Sequence, residues 1–229
     1  MLYAIACKDK LDILYFDNNV IYETEDLKRK FKKEALDYTT FGLAINEVLQ
    51  GKELFDRMIL QGKFIVTPWS QIIRTAFIKE NNIKFEENII HEDNLFSFLA
   101  IMAAKRTKHI AIKKYYRRIR NESTITKKTG DKNCIGYLEC IKQISEFLDN
   151  NKLEDETASR LFLLNLYKTS LKIYVGLRKS NKKMVKKKYR ETLRISKILK
   201  SINKIKIVTV YRAKRWKKIY EKECVIHNT

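Results

Sequence analysis

The sequence predicts a mixed α/β fold, α+β by content, with a few strands in its first half and a helical stretch behind them. One proline and six glycines in 229 residues are too few for the many tight turns of a sandwich or barrel. Apolar residues make up 45% of the chain and aromatics 11%, enough for a core at this length and too much for a disordered chain. From about residue 130 onward apolar residues recur at helical spacing, as at Leu138, Ile141, Ile144 and Leu148.

Taken in order, residues 2 to 7 read as the last turns of a helix. Asp12-Ile13-Leu14-Tyr15-Phe16-Asp17 reads as a buried strand, Asn18-Asn19 as a turn and Val20-Ile21-Tyr22 as a second strand. Residues 24 to 50 are mostly polar, with helix-type charge pairing from Glu25-Asp26 to Lys28-Arg29-Lys30 and no motif. After Gly51, the residues Leu54, Phe55, Met58 and Ile59 form one face of a short amphipathic helix closed by Gly62. Thr67-Pro68 starts the next element, where Trp69, Ile72, Ile73, Ala76 and Phe77 follow at helical spacing. Ile83-Lys84-Phe85 suits a short strand, and residues 94 to 105 a helix. Residues 108 to 120 begin as a strand and end in three arginines, Arg117, Arg118 and Arg120. Leu161 to Tyr174 is a strongly apolar helix, and Ile195, Ile198, Leu199, Ile202 and Ile205 form another stripe flanked by lysines.

The formal net charge is +21, and most of it lies at one end. Residues 171 to 229 hold 20 Lys and Arg against 3 Glu, or +17, leaving +4 for residues 1 to 170. That concentration predicts an anionic partner for the tail, either nucleic acid or a negatively charged membrane surface. No helix-turn-helix, zinc or RNA-binding signature supports the first. Cys7, Cys134, Cys140 and Cys224 form no CxxC pair, so free thiols in a reducing cytoplasm are expected instead of a zinc site or disulfides. The N-terminus lacks the basic and apolar parts of a signal peptide, and no apolar run approaches the ~20 residues that cross a bilayer. The expectation is a cytoplasmic protein, peripheral on the inner membrane face if the tail binds lipid.

The stretch that concentrates chemistry is Ile90-His91-Glu92-Asp93-Asn94-Leu95-Phe96, two adjacent carboxylates where a polar loop meets an apolar helix. Asp93 or Asn94 occupies the expected N-cap position, where a carboxylate accepts free backbone N–H groups and faces the positive end of the helix dipole. Capping alone accounts for such a residue, and an oriented, ionised carboxylate also suits a general base. Trp69 reads either as core packing or as a flat aromatic surface lining a pocket for a sugar. The arginine trio reads either as a clamp for phosphate oxygens or as a solvated edge strand.

Several of these segments, in this order, resemble the family 2 glycosyltransferases of GT-A fold, especially bacterial enzymes that build capsular, lipopolysaccharide or teichoic-acid sugars. The segments are Leu11 to Asp17, Gly51 to Phe55, Trp69 to Phe77, Asn82 to Phe85 leading into His91 to Phe96, and Tyr115 to Ser123. The resemblance implies an inverting hexosyltransferase-type enzyme that moves a sugar from a nucleotide-sugar donor to a hydroxyl of a glycan or lipid-linked acceptor. Asp93 matches the family's general base and Glu92 its acidic neighbour. Arg120 and Ser123 match an Arg-x-x-Ser segment near the donor diphosphate; Arg118 joins them, and Trp69 falls on the acceptor side.

The family's complete domain also holds a divalent cation, Mg or Mn, with an Asp-x-Asp motif that this sequence lacks. Phe16-Asp17-Asn18-Asn19 is the one strand ending in an acid that looks similar, and its context matches the strand after the metal motif. The expectation is therefore an acceptor-side part of a GT-A domain over residues 1–127, incomplete and truncated, and a basic helical region over 128–229. Such a chain is expected to be inactive alone. The alternative is a non-catalytic basic binding module for an anionic membrane or nucleic acid, with the carboxylate pair serving as a cap.

Overall fold

The structure, a computed structural model, describes residues 1–31, 45–121, 130–153 and 156–195. It is a mixed α/β fold with a three-stranded sheet of order β2-β1-β3 and three long helices behind it. Helix α1 is Leu2–Lys8, β1 is Ile13–Tyr22, α2 is Glu25–Lys30, and α3 is Gly51–Leu60. A 3-10 turn at Pro68–Ser70 leads into β2, Gln71–Ile73, and α4, Thr75–Glu80. Then come α5, Glu92–Ala103, and β3, Thr107–Ile119. Helices α6, Asp131–Asn150, α7, Thr157–Gly176, and α8, Lys179–Ile195, complete the described chain.

The apolar run that opens β1 is explained by burial on both faces. Ile13 and Tyr15 belong to the main core, while Leu14 and Phe16 face a second cluster with Leu11, Ile110 and the α1 residues Leu2 and Ile5. A strand covered on both sides has no reason to alternate with polar residues. The expected turn at Asn18-Asn19 does not occur, because β1 continues through it beside β3. The two run parallel from Ile13 opposite Thr107 to Tyr22 opposite Ile119, with register shifts on either side of Asp17. Those shifts take up the greater length of β3, 13 residues against 10.

Two further elements differ from expectation. The helix anticipated from Trp69 to Phe77 is broken, because Gln71–Ile73 pairs antiparallel with β1 residues 13 to 15 and only Thr75–Glu80 is helical. Backbone pairing with a neighbouring strand outweighs the helical spacing of so short a segment. Ile83-Lys84-Phe85 is not a strand. Ile83 is buried, and Phe85 instead stacks on Phe96 with ring centroids 3.9 Å apart.

The anchor of the sheet is the buried carboxylate of Asp12. Its Oδ1 accepts from Arg74 Nη2 at 2.9 Å, and its Oδ2 accepts from the backbone N–H groups of Lys105 at 2.9 Å and Arg106 at 3.1 Å. Its own carbonyl accepts the Arg74 N–H at 2.9 Å. One side chain thus joins the start of β1 to the end of β2 and to the α5–β3 turn. Behind the sheet, Phe55 of α3 meets Phe64, Phe98 of α5 and Phe162 of α7 edge to face at 5.0, 5.5 and 5.8 Å. Gly51 lets α3 approach α5, since a Cβ there would lie 1.8 Å from the Ile101 carbonyl oxygen. The main core runs without a break from Ile13 to Tyr189, so α6, α7 and α8 share it with the sheet.

Burial alone would raise the Asp12 carboxyl, but the Arg74 hydrogen bond and the two backbone N–H groups outweigh it and hold the group below the usual carboxylate range. A lowered carboxylate adds stability that is present above its unfolded pKa and lost as pH falls through the folded one. Asp12→Asn is therefore expected to lower stability by about 2–3 kcal/mol near pH 7. Urea unfolding of both proteins should show that gap closing below pH 4; a constant gap would remove the charge from the account.

Candidate active site

Glu92 and Asp93 open α5, but neither is its N-cap. That position belongs to His91, whose backbone is left-handed at φ 75° and ψ 23° and whose side chain makes no capping bond. Such a conformation is uncommon outside glycine, though histidine is among the residues that adopt it more often. It turns the chain from the loop at Glu87-Asn88 into the helix in one step. The His91 carbonyl then accepts from the Asn94 N–H at 3.1 Å, from Asn94 Nδ2 at 3.0 Å and from Cys140 Sγ at 3.3 Å.

Helix α6 holds this turn from behind. A Cβ at Gly136 would lie 1.9 Å from the Ile90 carbonyl oxygen, so only glycine allows the loop to sit there. The His91 ring stacks on Tyr137 with centroids 4.0 Å apart, and its Nε2 accepts from Asn133 Nδ2 at 3.2 Å. Asn133 Oδ1 in turn accepts the Gly130 N–H at 2.9 Å. Burial pushes the His91 imidazole down to about 4, so it is neutral at pH 7, with Nε2 as the acceptor and the proton assigned to Nδ1. Burial likewise pushes the Cys140 thiol up to about 12, with Asp93 and Glu92 adding to it. It remains a thiol and a donor.

Asp93 is half-buried within this frame. Its Oδ1 accepts from Asn94 Nδ2 at 3.0 Å. Burial pushes its carboxyl up to about 6 and the Glu92 charge adds to that, against the hydrogen bonds from Asn94 and the helix backbone. An acid at the start of a helix is ordinarily favoured by the dipole; here desolvation outweighs that. The group is mostly ionised at neutral pH and holds a proton more strongly than an ordinary Asp, which is what a general base requires.

One turn further along, Ser97 is on the same face as Asp93. Its hydroxyl donates to the Val66 carbonyl at 2.6 Å and accepts from Gln71 Nε2 at 3.2 Å. Those bonds tie the face of α5 that bears Asp93 to the segment that bears Trp69. Trp69 is half-buried, stacked on Tyr115 of β3 at 4.7 Å, with the Arg117 guanidinium 5.3 Å from its ring centroid. Strand alternation puts Tyr115 and Arg117 on the Trp69 side and exposed Arg118 on the other. Arg120 follows the end of β3 and is exposed, and Ser123 lies outside the described residues. Asn133, Gly136 and Tyr137 are site residues that sequence reasoning did not select, and Arg117, read there as part of a phosphate clamp, lies instead against Trp69. The i, i+2 spacing of Tyr115 and Arg117 marks one strand face, and residues 133, 136, 137 and 140 mark one helical face. Neither spacing says what the face meets.

Among the described residues no group of three or more His, Cys, Asp or Glu is placed to hold a metal. The acids on β1 and just before it are engaged otherwise: Asp12 as above, and buried Asp17 with His109 Nε2 at 3.2 Å. Among the described residues these acids do not make a divalent-cation site. A cavity of about 520 Å³ is lined by Ile5, Lys8 and Asp9 around α1, by Asn46, and by Lys108, Ile110, Ala111 and Ile112 on β3. None of the predicted site residues lines it.

No protein-family model and no curated protein matches the chain. Among solved structures it is similar to residues 1–349 of S. aureus TarS in complex with UDP-GlcNAc, at 16% identity and a TM-score of 0.42 over 88% of this chain and 62% of that one. The same fragment without ligand aligns at 16% identity and 0.42, covering 88% and 61%. The crystal structure of S. aureus TarS aligns at 17% and 0.38, covering 87% and 36%. The chain thus spans about three fifths of the length of the TarS fragment. No chemistry of this chain follows from similarity of that size.

Asp93 carries an acid raised on folding, so the folded state binds more protons than the unfolded between the ordinary Asp value of 3.8 and about 6, and stability falls with pH across that window. Asp93→Asn removes the charge that folding opposes and should raise stability at pH 7 by up to about 3 kcal/mol. At pH 3.5 the gain should vanish. Urea midpoints at the two values decide it, and a destabilised variant at pH 7 would show that the hydrogen bonds of the charged Asp93 in the first turn outweigh its desolvation. Gly136→Ala should cost more than about 2 kcal/mol, because the new methyl group meets backbone rather than a movable side chain.

Proposed function

We propose that this chain forms the acceptor side of an inverting, nucleotide-sugar-dependent glycosyltransferase, with Asp93 as the general base. The observation that carries the reading is the placement of Asp93: a half-buried carboxylate in the first turn of α5, held by Asn94 at 3.0 Å and next to Glu92, where desolvation pushes its carboxyl up to about 6. The ordered motifs from Leu11 to Ser123 supply the reaction class. In this reading the acceptor hydroxyl approaches Asp93, which removes its proton as the oxygen attacks the anomeric carbon. The nucleoside diphosphate leaves from the opposite face. Asn94 orients the Asp93 carboxylate by donating to its Oδ1. Trp69, braced by Tyr115 and Arg117, offers an aromatic surface for an acceptor sugar ring. Arg120 and Arg118 offer guanidinium groups for the donor diphosphate. The acceptor is a glycan or a lipid-linked sugar of a bacterial surface polysaccharide.

Because no Asp-x-Asp occurs in the sequence and the described acids do not fit a cation, the donor's diphosphate and its metal need residues from another nucleotide-binding half. The test joins such a half, from a family 2 enzyme with a known donor, ahead of Met1. Transfer from UDP-GlcNAc, the sugar nucleotide held in the TarS crystals, is a suitable first assay. The joined protein is expected to turn over with Mg or Mn, and the 229-residue chain alone to show none. Asp93→Asn in the joined protein should lower kcat by about 10²–10⁴-fold, whereas unchanged turnover would exclude Asp93 as the base.

A further inference from the structure

Helix α8 is fixed by one side and bare on the other. Val185, Tyr189 and Thr192 are buried, at the i, i+4, i+7 spacing of a single face. Tyr189 Oη is 2.8 Å from Ser170 Oγ of α7 and accepts from Cys134 Sγ of α6 at 3.7 Å. Lys188, on the same side, pairs with Glu139 of α6 at 2.7 Å. The helix cannot roll without breaking these contacts, so its outward face is set by the fold.

That outward face is cationic. The helix holds eight Lys and Arg against the single acid Glu191. Lys183, Lys186, Lys187, Arg190 and Arg194 are exposed, and among the described residues no acid pairs with them. Between them Met184 is 53% exposed, so the face adds a shallow apolar contact to its charge. We propose that this face of α8 is a docking surface for the anionic headgroups of a lipid bilayer.

Three features favour lipid over nucleic acid. Six of the eight cations are lysines, hydrated point charges suited to diffuse attraction by a charged plane, rather than the guanidinium forks that pair with single phosphates. None of its exposed residues is aromatic, so nothing on the face stacks on bases. Met184 gives it an apolar contact that a phosphate backbone does not use. The apolar stripe that a free amphipathic helix would insert into the acyl boundary is already spent on α6 and α7. Binding is therefore electrostatic and peripheral, weakens with salt, and holds the rest of the domain at a fixed tilt to the membrane. It does not depend on the sugar-transfer reading.

The test is sedimentation of the full chain with vesicles of phosphatidylcholine, with and without phosphatidylglycerol, at physiological ionic strength. Binding is expected only to the anionic vesicles. Replacing Lys183, Lys186, Lys187 and Arg190 together by Gln should lower partitioning by about 100-fold or more, given roughly fivefold per basic residue at the surface, with the urea midpoint unchanged. A matched set in the tail, Lys204, Lys206, Lys214 and Lys217 to Gln, separates the helix from general charge. Equal binding to neutral vesicles, tighter binding to duplex DNA than to anionic vesicles, or a loss confined to the tail variant would each overturn the proposal.

Discussion

The Asp12 carboxylate is the constraint on which the rest of the structure depends. It is the point where three segments far apart in sequence meet, and charge-assisted hydrogen bonds hold them there. With Asp12 in place, Arg74 ends β2 beside β1, and the turn after α5 delivers β3 parallel to β1. A parallel pair needs a long crossover connection, and here it is residues 23 to 106, which contain β2 and α5. The carboxylate that closes the crossover at its α5–β3 end thus also sets where α5 runs. Asp93 lies at the far end of that helix, so its position follows from a contact three helical turns away.

The other half of the constraint comes from α6. Asp93 owes its raised pKa first to desolvation, and the turn just ahead of it is packed against the Gly136 face of α6. That places residues on either side of position 127 in one site and one core: His91 stacks on Tyr137, the Ile90 carbonyl fills the gap at Gly136, and Cys140 donates to His91. The basic helical region contributes to the geometry of the carboxylate pair. Its last described helix, α8, is held to α6 and α7 in the same way, by a buried hydroxyl pair and an ion pair.

The sequence made the long helices and the strand ends legible because their patterns are local. Leu138, Ile141, Ile144 and Leu148 form a fully buried stripe as the spacing requires, and Thr107–Ile119 is a strand close to the bounds its residues suggest. What it obscured depends on partners distant in the chain. Asn18-Asn19 looks like a turn because Asn is a turn former, yet β3 pairs with both sides of it and keeps the strand going. Ile72 and Ile73 have helical spacing to Trp69 and Phe77, yet β1 takes them as a strand. At the site, the carboxylates were legible and their environment was not. His91 as the helix cap, and the choice of Arg117 over Arg118 as the partner of Trp69, follow from contacts that no local pattern records.

The energetics of the first turn of α5 set Asp93 apart from an ordinary helix cap. A cap is favourable because an exposed carboxylate meets free N–H groups and the dipole, and it lowers its own pKa in doing so. Asp93 does the reverse: it is placed where folding opposes its charge, next to a second acid, on a helix whose actual cap is a histidine in a left-handed conformation. Each choice is locally unfavourable, and a serine or an exposed Asp as the cap would avoid all of them. Departures of this kind, gathered on one side chain and supported by a rigid second element, are the ground on which the proposed base role of Asp93 rests. The neutral His91 matters in the same sense. A protonated imidazole within the same turn would pull the Asp93 carboxyl back down, whereas the buried, neutral ring keeps the frame without supplying a counter-charge.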